Sequence, residues 1–573
     1  MHIRTTAARI ALAGMLLLSA AAASAQEGTA GNPGVGDDLF PLSGNGGYDV
    51  QHYTLDIAWS EDNTIEASAE ISAIATLDLS SFNLDFVGFD IGELTVNGEA
   101  ADYTRDGGEL TITPAQMLSR EDAFTVLVRY AGTPTPSRNS VLGEQQGPGW
   151  NAYPGGVITV SQVDGSPGWY PVNDHPTDTA SYTLRITVPA AYTAAANGLL
   201  SEMITADETR TFVWEARDPM ASYLVTVNIG MFRMTESEGP GGLPIINVVP
   251  ESAGDAYDDL LALQGDMIAF LSDTFGPYPF ESAGAIVVDA ELGMALETQT
   301  RPVYGTDTFV ENIILHELAH QWFGDSVRVA DWEHIWLNEG FATYAEALWA
   351  EHTGGQEALD AEVELAYNIT RNVLQVLDVE TLSTRFNQVP PPAAGAGLTR
   401  AQVEEFVRSM APEPISDEAL QAAMDGLADE GLSLADVADV IVNLGLENVT
   451  ITIDAIQHLY DAFLAMGVEP LIDDPSESGI VPAGPPGVVD SATMFNPGVY
   501  SRGALTLHAL RLLVGDAQFF SILRTYYARH AGSTANTTDF IDVAEEISNR
   551  QLEDFFDAWL YAEETPALPE AGG

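Results

Sequence analysis

From Tyr48 to Phe232 apolar and polar residues alternate in short runs, as in Tyr53-Thr-Leu-Asp-Ile-Ala-Trp59, Glu109-Leu-Thr-Ile-Thr113, Phe124-Thr-Val-Leu-Val-Arg-Tyr130 and Tyr182-Thr-Leu-Arg-Ile-Thr-Val188. A period of two in β-branched and aromatic residues, punctuated by Gly, Pro, Asn and Asp, predicts half-buried strands. Helical spacing is scarce there, so residues 48–236 are expected to form an N-terminal all-β domain. Near Pro244 the pattern changes. A short strand at Ile245 to Val249, a helix-like run at 254–274 and a strand at Ala285 to Val288 lead into segments of helical period around 309–325 and 336–352. Helical spacing returns over 500–573, broken at Gly515 and Gly532. This predicts an α/β to α-helical domain in two parts, 237–387 and 489–573. Between them, Pro/Gly-rich stretches at 388–398 and 470–488 flank a block in which Leu434, Val437, Ala438 and Ile441 share one helix face, as do Leu459 and Phe463. Residues 388–488 are therefore expected to be a linker-flanked helical insertion with its own small core.

The first residues carry Arg4 and Arg9, an apolar run from Ile10 to Leu18, and Ala23-Ser24-Ala25. These are the three parts of a secretory signal peptide, expected over 1–25. The alternative, a membrane anchor, needs a run of roughly 20 apolar residues, longer than this one. Residues 26–47, rich in Gly and Pro, read as a flexible leader. The protein is expected to be exported, to periplasm or medium, with no membrane span after cleavage.

Composition narrows the chemistry. The 573 residues include 84 acidic and 21 basic side chains, a net charge of −63; every basic residue is Arg, and Cys is absent. Disulfides, thiolate nucleophiles and Cys metal ligands are excluded. A charge this negative repels phosphate backbones, so no nucleic acid partner is expected. With 46% hydrophobic and 18% charged residues the chain is globular in composition. Nothing in it speaks to oligomeric state. Any metal site must be built from His and carboxylates.

That set is present. In His316-Glu317-Leu318-Ala319-His320 the two His lie four residues apart, about one helical turn, so both imidazoles project from one face. This spacing suits one zinc ion, with Glu317 leaning toward the open coordination position. After eighteen intervening residues, Glu339 lies in Trp336-Leu-Asn-Glu-Gly-Phe-Ala342, also of helical spacing, and residues 325–335 can turn the chain back. Two antiparallel helices would then offer His316, His320 and Glu339 as ligands. By local chemistry Glu317 is the general base for a metal-activated water.

The runs His316-Glu-Leu-Ala-His-Gln-Trp-Phe-Gly-Asp325 and Trp336 to Ala342 resemble the signature of peptidase family M1, the aminopeptidase N-like gluzincins. The resemblance extends from Tyr48 to about Trp559, apart from the insertion. Tyr48-Asp-Val-Gln-His-Tyr53 resembles the family's opening strand. Gln162-Val-Asp164 with Trp169-Tyr-Pro-Val-Asn-Asp-His-Pro176 resembles its β-domain segment that reaches the active site. Met294-Ala-Leu-Glu-Thr298 stands where the family has G-A-M-E-N, and Val499-Tyr-Ser-Arg-Gly-Ala504 where it has V-Y-E-K-G-A. The resemblance implies a saddle-like β sandwich followed by a thermolysin-like catalytic domain, one Zn2+ per chain, and peptide substrates with a free N-terminus. It implies Tyr500 as oxyanion donor and Glu297, helped by Gln162, as anchor of the substrate ammonium; Asp164 is a weaker candidate beside Gln162. Met294 and Thr298 depart from the family pattern, which puts the backbone contacts of that loop in question. The chain ends soon after Trp559, so the large C-terminal helical domain of many relatives is expected to be missing and the cleft open. Two alternatives remain: a zinc endopeptidase of thermolysin type, which ignores the α-amine, and a non-catalytic surface or binding protein.

Overall fold

The computed structural model describes residues 28–136, 147–387, 389, 391–392, 396–412, 414–446, 448–467 and 482–570. The expected signal peptide lies outside them. No helix among the described residues is long and apolar enough to cross a membrane.

The N-terminal domain is all β. Its main sheet has eight strands in the order Leu199–Thr205, Thr209–Ala221, Thr179–Pro189, Tyr48–Trp59, Ile65–Ala75, Ala123–Gly132, Asp90–Val96 and Glu99–Ala100. Tyr48–Trp59 and Thr179–Pro189 pair in parallel and the other neighbours are antiparallel. Alternation of buried and exposed residues along Tyr48–Trp59 is the pattern the sequence carries, with Tyr53, Leu55 and Ile57 on the core side. Two four-stranded sheets complete the domain. One of them, Gly149–Tyr153, Gly156–Val160, Val227–Gly230 and Thr193–Ala196, borders the catalytic domain.

The strand Phe232–Glu238 pairs antiparallel with Pro244–Pro250 and so belongs to the catalytic sheet, not to the β domain. The expected boundary at 236 therefore moves back to about Met231. Strand pattern alone does not say which sheet a strand joins. That sheet continues through Ala283–Val287, Val303–Tyr304 and the edge strand Ala295–Leu296. Around it pack the helices Asp258–Phe275, Glu311–His320, Trp336–Gly354, Gln356–Thr370, Pro497–Val514, Asp516–His530, Thr537–Ser548 and Glu553–Leu560.

The leader is a strap. Thr29–Ala30 pairs with Leu79–Asp85, and Asp37, 3% exposed, accepts hydrogen bonds from the Leu39, Phe40 and Trp332 amides while contacting His175 Nε2 at 3.3 Å. Its glycines serve close approach rather than freedom: a Cβ on Gly44, at φ 69°, would sit 2.6 Å from the His175 Cβ. Composition does not separate these two uses of Gly and Pro.

The insertion starts earlier than its linkers suggest. Val373–Asp378 pairs with Asn448–Thr452, and helices Val379–Phe386, Arg400–Met410, Asp417–Ala423, Leu434–Asn443 and Ile453–Ala465 share a core containing Leu382, Val403, Phe406, Leu420, Val437 and Ile441. That core is separate from the two large ones of the β and catalytic domains. Residues 483–488 return to the catalytic domain, where Gly487 N donates to Leu560 O.

The β domain holds several buried carboxyls. Burial raises Asp174 to about 8, with the Ser222 hydroxyl bond at 2.6 Å pulling the other way, and burial likewise raises Asp178 and Glu109 to about 7. These folded-state values lie above the unfolded ones near 4, so the folded chain retains protons that the unfolded chain releases. Their contribution to stability is full below about pH 4 and is lost as pH rises toward 8. Asp174→Asn is expected to flatten that decline and to raise the unfolding midpoint at pH 8 by several degrees, read by calorimetry between pH 5 and 8. An equal or steeper slope in the variant contradicts the assignment.

Candidate metal centre and active site

The motif helix Glu311–His320 buries Ile314, Leu315, Leu318 and Ala319, which leaves His316, Glu317 and His320 toward the cleft. After His320 the chain bends at Gly324, φ 135°, where a Cβ would lie 3.2 Å from the His320 Nδ1. The short strand Val327–Val329 pairs in parallel with Ser533–Ala535, and the chain returns as helix Trp336–Gly354 with Glu339 in its first turn. Glu339 Oε2 lies 3.4 Å from both His316 Nε2 and His320 Nε2. A tetrahedral ion with bonds of ~2.0–2.1 Å separates its ligand atoms by about 3.4 Å, so the three groups fit a zinc-type ion.

The other ring nitrogens are also held. His316 Nδ1 is 2.8 Å from Glu346 Oε1, and His320 Nδ1 is 3.0 Å from the Phe323 carbonyl oxygen. These contacts place the protons on Nδ1 and turn both Nε2 lone pairs to the metal position. Glu346 is not among the sequence candidates. Its signal is there, seven residues or two turns after Glu339 on the same helix face. Glu346→Ala is expected to weaken metal affinity by roughly 10–100-fold, read by competition with a chromogenic chelator. Unchanged affinity would deny the orienting role.

Three carboxylates, Glu339, Glu297 and Glu317, and two imidazoles give the site its electrostatics. Burial pushes the Glu339 carboxyl up, but His320 and His316 outweigh it and hold it at about 2. Burial pushes the His320 imidazole down, yet Glu339 and Glu297 carry it up to about 9. Glu317, 6% exposed, is raised to about 8 by burial against the pull of both imidazoles. The site thus draws positive charge to the two imidazoles, a demand that a divalent cation on the same atoms meets.

Glu297 follows the edge strand Ala295–Leu296 and is 3% exposed. Its carboxylate groups with the Glu317 carboxylate and the His320 imidazole, their ligand atoms lying within 4.8 Å of one another. Gln162 Nε2 donates to Glu297 Oε1 at 3.0 Å, so both predicted amine-binding residues meet across the domain junction. The loop after Glu297 is gripped from two sides. Gln321, on the turn closing the motif helix, donates to Glu297 O at 3.0 Å and accepts from Thr300 N at 2.7 Å. From the β domain, Asn197 Nδ2 donates to Gln299 O at 2.8 Å and Gly198 N to Thr300 Oγ1 at 2.9 Å. The Arg301 guanidinium donates to the Ala196 and Gly198 carbonyls and stacks 4.7 Å from the Trp214 ring centre. Thr298, a departure from the family pattern, turns its hydroxyl to the Arg301 carbonyl at 2.7 Å. The Met294 carbonyl accepts from Thr308 Oγ1 at 3.0 Å. Gln321 and Arg301 are not among the sequence candidates, because their function is to bond backbone distant in sequence.

Tyr500 stands in the first turn of helix Pro497–Val514, which Asn496 caps by accepting from Gly498 N at 2.8 Å. Its ring centre is 6.2 Å from that of His316. The placement depends on a helix crossing at two glycines: a Cβ on Gly503 would lie 2.8 Å from the Gly340 Cα. Gly340 follows Glu339 and Gly503 is three residues past Tyr500, so this close approach sets ligand and phenol side by side. Burial first, then Glu339, Glu297 and Glu317, push the phenol well above its ordinary value, and it stays a proton donor. Seven of the sequence candidates, Gln162, Glu297, His316, Glu317, His320, Glu339 and Tyr500, thus converge on one cleft.

The chain matches the peptidase family M1 domain over residues 263–389 and 483–559, the gap falling on the insertion. It is 28% identical to rat aminopeptidase N over 262 residues, 42% of this chain and 26% of that protein. It is 31% identical to human glutamyl aminopeptidase over 204 residues, 32% of this chain and 21% of the relative. The matches therefore span only about a quarter of these curated relatives. The crystal structure of an M1 zinc metallopeptidase from Deinococcus radiodurans superposes with a TM-score of 0.69 at 26% identity, covering 94% of this chain and 99% of that one.

Proposed function

We propose that this chain, which belongs to peptidase family M1, is a zinc aminopeptidase that removes the N-terminal residue from peptides. The observation that carries this reading is the position of Glu297: a buried carboxylate, with Gln162 on it, lies beside the base and one metal ligand, where a substrate ammonium completes its charge. Zinc, which His316, His320 and Glu339 would hold, would supply a Lewis acid for the scissile carbonyl and lower the pKa of the attacking water. Glu317 takes the proton of that water and passes it to the leaving amine. The Tyr500 hydroxyl donates a hydrogen bond to the oxygen on which negative charge develops. Glu346 and the Phe323 carbonyl keep the imidazoles in register, and Gln321 keeps Glu297 at a fixed distance from them.

The test is an amino-acyl fluorogenic panel run with and without chelator, beside a peptide and its N-acetylated form. Chelator-sensitive hydrolysis that requires the free amine supports the reading. Equal rates on the acetylated peptide overturn it in favour of a thermolysin-type endopeptidase. Export belongs to the same proposal and is supported by Arg4, Arg9, the run Ile10 to Leu18 and Ala23-Ser24-Ala25. A mature N-terminus at Gln26, found by sequencing the secreted protein, is the expected result.

A further inference from the structure

On the His316 side of the metal centre a cavity of 260 Å³ opens between helices Glu311–His320, Trp336–Gly354, Gln356–Thr370 and Pro497–Val514. His316 and Tyr500 stand among its lining residues, so it is continuous with the active site. Val363, Ala366, Ile369 and Leu505 give it apolar walls, and Glu346 and Glu362 are its two carboxylates.

The two ligand imidazoles, one turn apart, give the site a direction. Glu297 clusters with His320, whereas the cavity lies against His316. A peptide with its ammonium on Glu297 and its scissile carbonyl between the metal position and Tyr500 therefore sends its second residue toward the cavity. Glu346 is engaged with His316 and, at 3.2 Å, with Asn312 Nδ2. Glu362 is half-buried, and among the described residues it has neither a hydrogen bond nor an ion pair. Burial raises its carboxyl and the Glu346 charge raises it further. Two carboxylates thus share an apolar-walled space; Glu346 is paired with His316, and among the described residues Glu362 has no cationic partner. The complement is a cationic head on an apolar stem, whose methylenes lie along the walls while the head meets the carboxylates.

We propose that this cavity is the subsite for the second residue of the substrate, and that Glu362 with Glu346 makes it select arginine or lysine there. The proposal rests on the aminopeptidase reading. Glu362 is its specificity-determining residue.

The experiment uses the full-length protein and peptides that share one N-terminal residue and carry Arg, Lys, Leu or Glu in second place. A further peptide moves the Arg to fourth place. The expected kcat/KM for Arg or Lys second exceeds that for Leu second by about tenfold, and Glu second is the poorest. The net negative field attracts both Arg peptides equally while the cavity meets only the second residue, so the fourth-place peptide gains over the Leu peptide only the field's share and falls well below the second-place peptide. In Glu362→Gln the Arg-over-Leu ratio falls to within about twofold, a change too local to alter the protein's overall field. Equal rates for Arg and Leu second in the wild type overturn the subsite. So does an Arg preference that survives in Glu362→Gln or appears equally at fourth place. Amino-acyl anilides, which have no second residue, separate the two readings: no chelator-sensitive anilide hydrolysis refutes the aminopeptidase, whereas anilide hydrolysis without second-residue preference refutes only the subsite.

Discussion

Replacing Glu317 by glutamine is expected to lower kcat by roughly 10²–10⁴-fold while the protein keeps its zinc. Glu317 sits on the motif helix between the two ligands in sequence yet is not itself within the ligand triad, so zinc stoichiometry and affinity should change little. Glutamine matches the carboxylate in shape and can still hold a water, but it cannot take its proton. Burial suits the native group to proton abstraction, because it raises the carboxyl and makes the base stronger than a solvated glutamate would be. The measurement is kcat on a fluorogenic amino-acyl substrate, with zinc content determined on the same sample. A variant within tenfold of wild type, metal retained, would assign the base elsewhere.

Tyr500→Phe is expected to cost roughly 10²–10³-fold in kcat, with KM nearly unchanged. The phenol is raised far above its usual range and therefore carries its proton throughout the working pH range. A donor of this kind helps most where charge is created, not where substrate merely binds. Phenylalanine keeps the ring against His316 and the glycine crossing below it, so the unfolding midpoint and zinc content should hold. A fall in kcat/KM arising entirely from KM would instead make Tyr500 a binding residue.

How much of this is legible in the chain follows from the range over which each feature is encoded. His316, His320 and Glu339 sit on two helices joined by a short return, and helical geometry converts their spacing directly into a triad. Glu346 obeys the same rule and is equally readable, two turns beyond Glu339. Tyr500 lies beyond the insertion, and Glu297 and Gln162 come from separate sheets; only the family resemblance points to them. The insertion's true start at Val373 is written in its pairing with Asn448–Thr452, which no local window contains. The strap at 28–47 reads as flexible because Gly and Pro serve tight packing as readily as mobility, and Asp37 reveals its use only through His175 and Trp332.

The loop after Glu297 has a consequence for the protein as a mechanical whole. Arg301 and Thr300 fasten it to the β domain, and Gln321 fastens it to the metal helix. On the proposed reading, in which Glu297 holds the substrate amine, the seam between the domains is part of the ruler that sets the distance from that amine to the scissile bond. Linkage makes the relation reciprocal: whatever grips the ammonium end also resists parting of the seam, and whatever loosens the seam lengthens the ruler. On that reading, drift at Ala196 or Gly198 would surface as lost exopeptidase fidelity before it surfaced as lost metal.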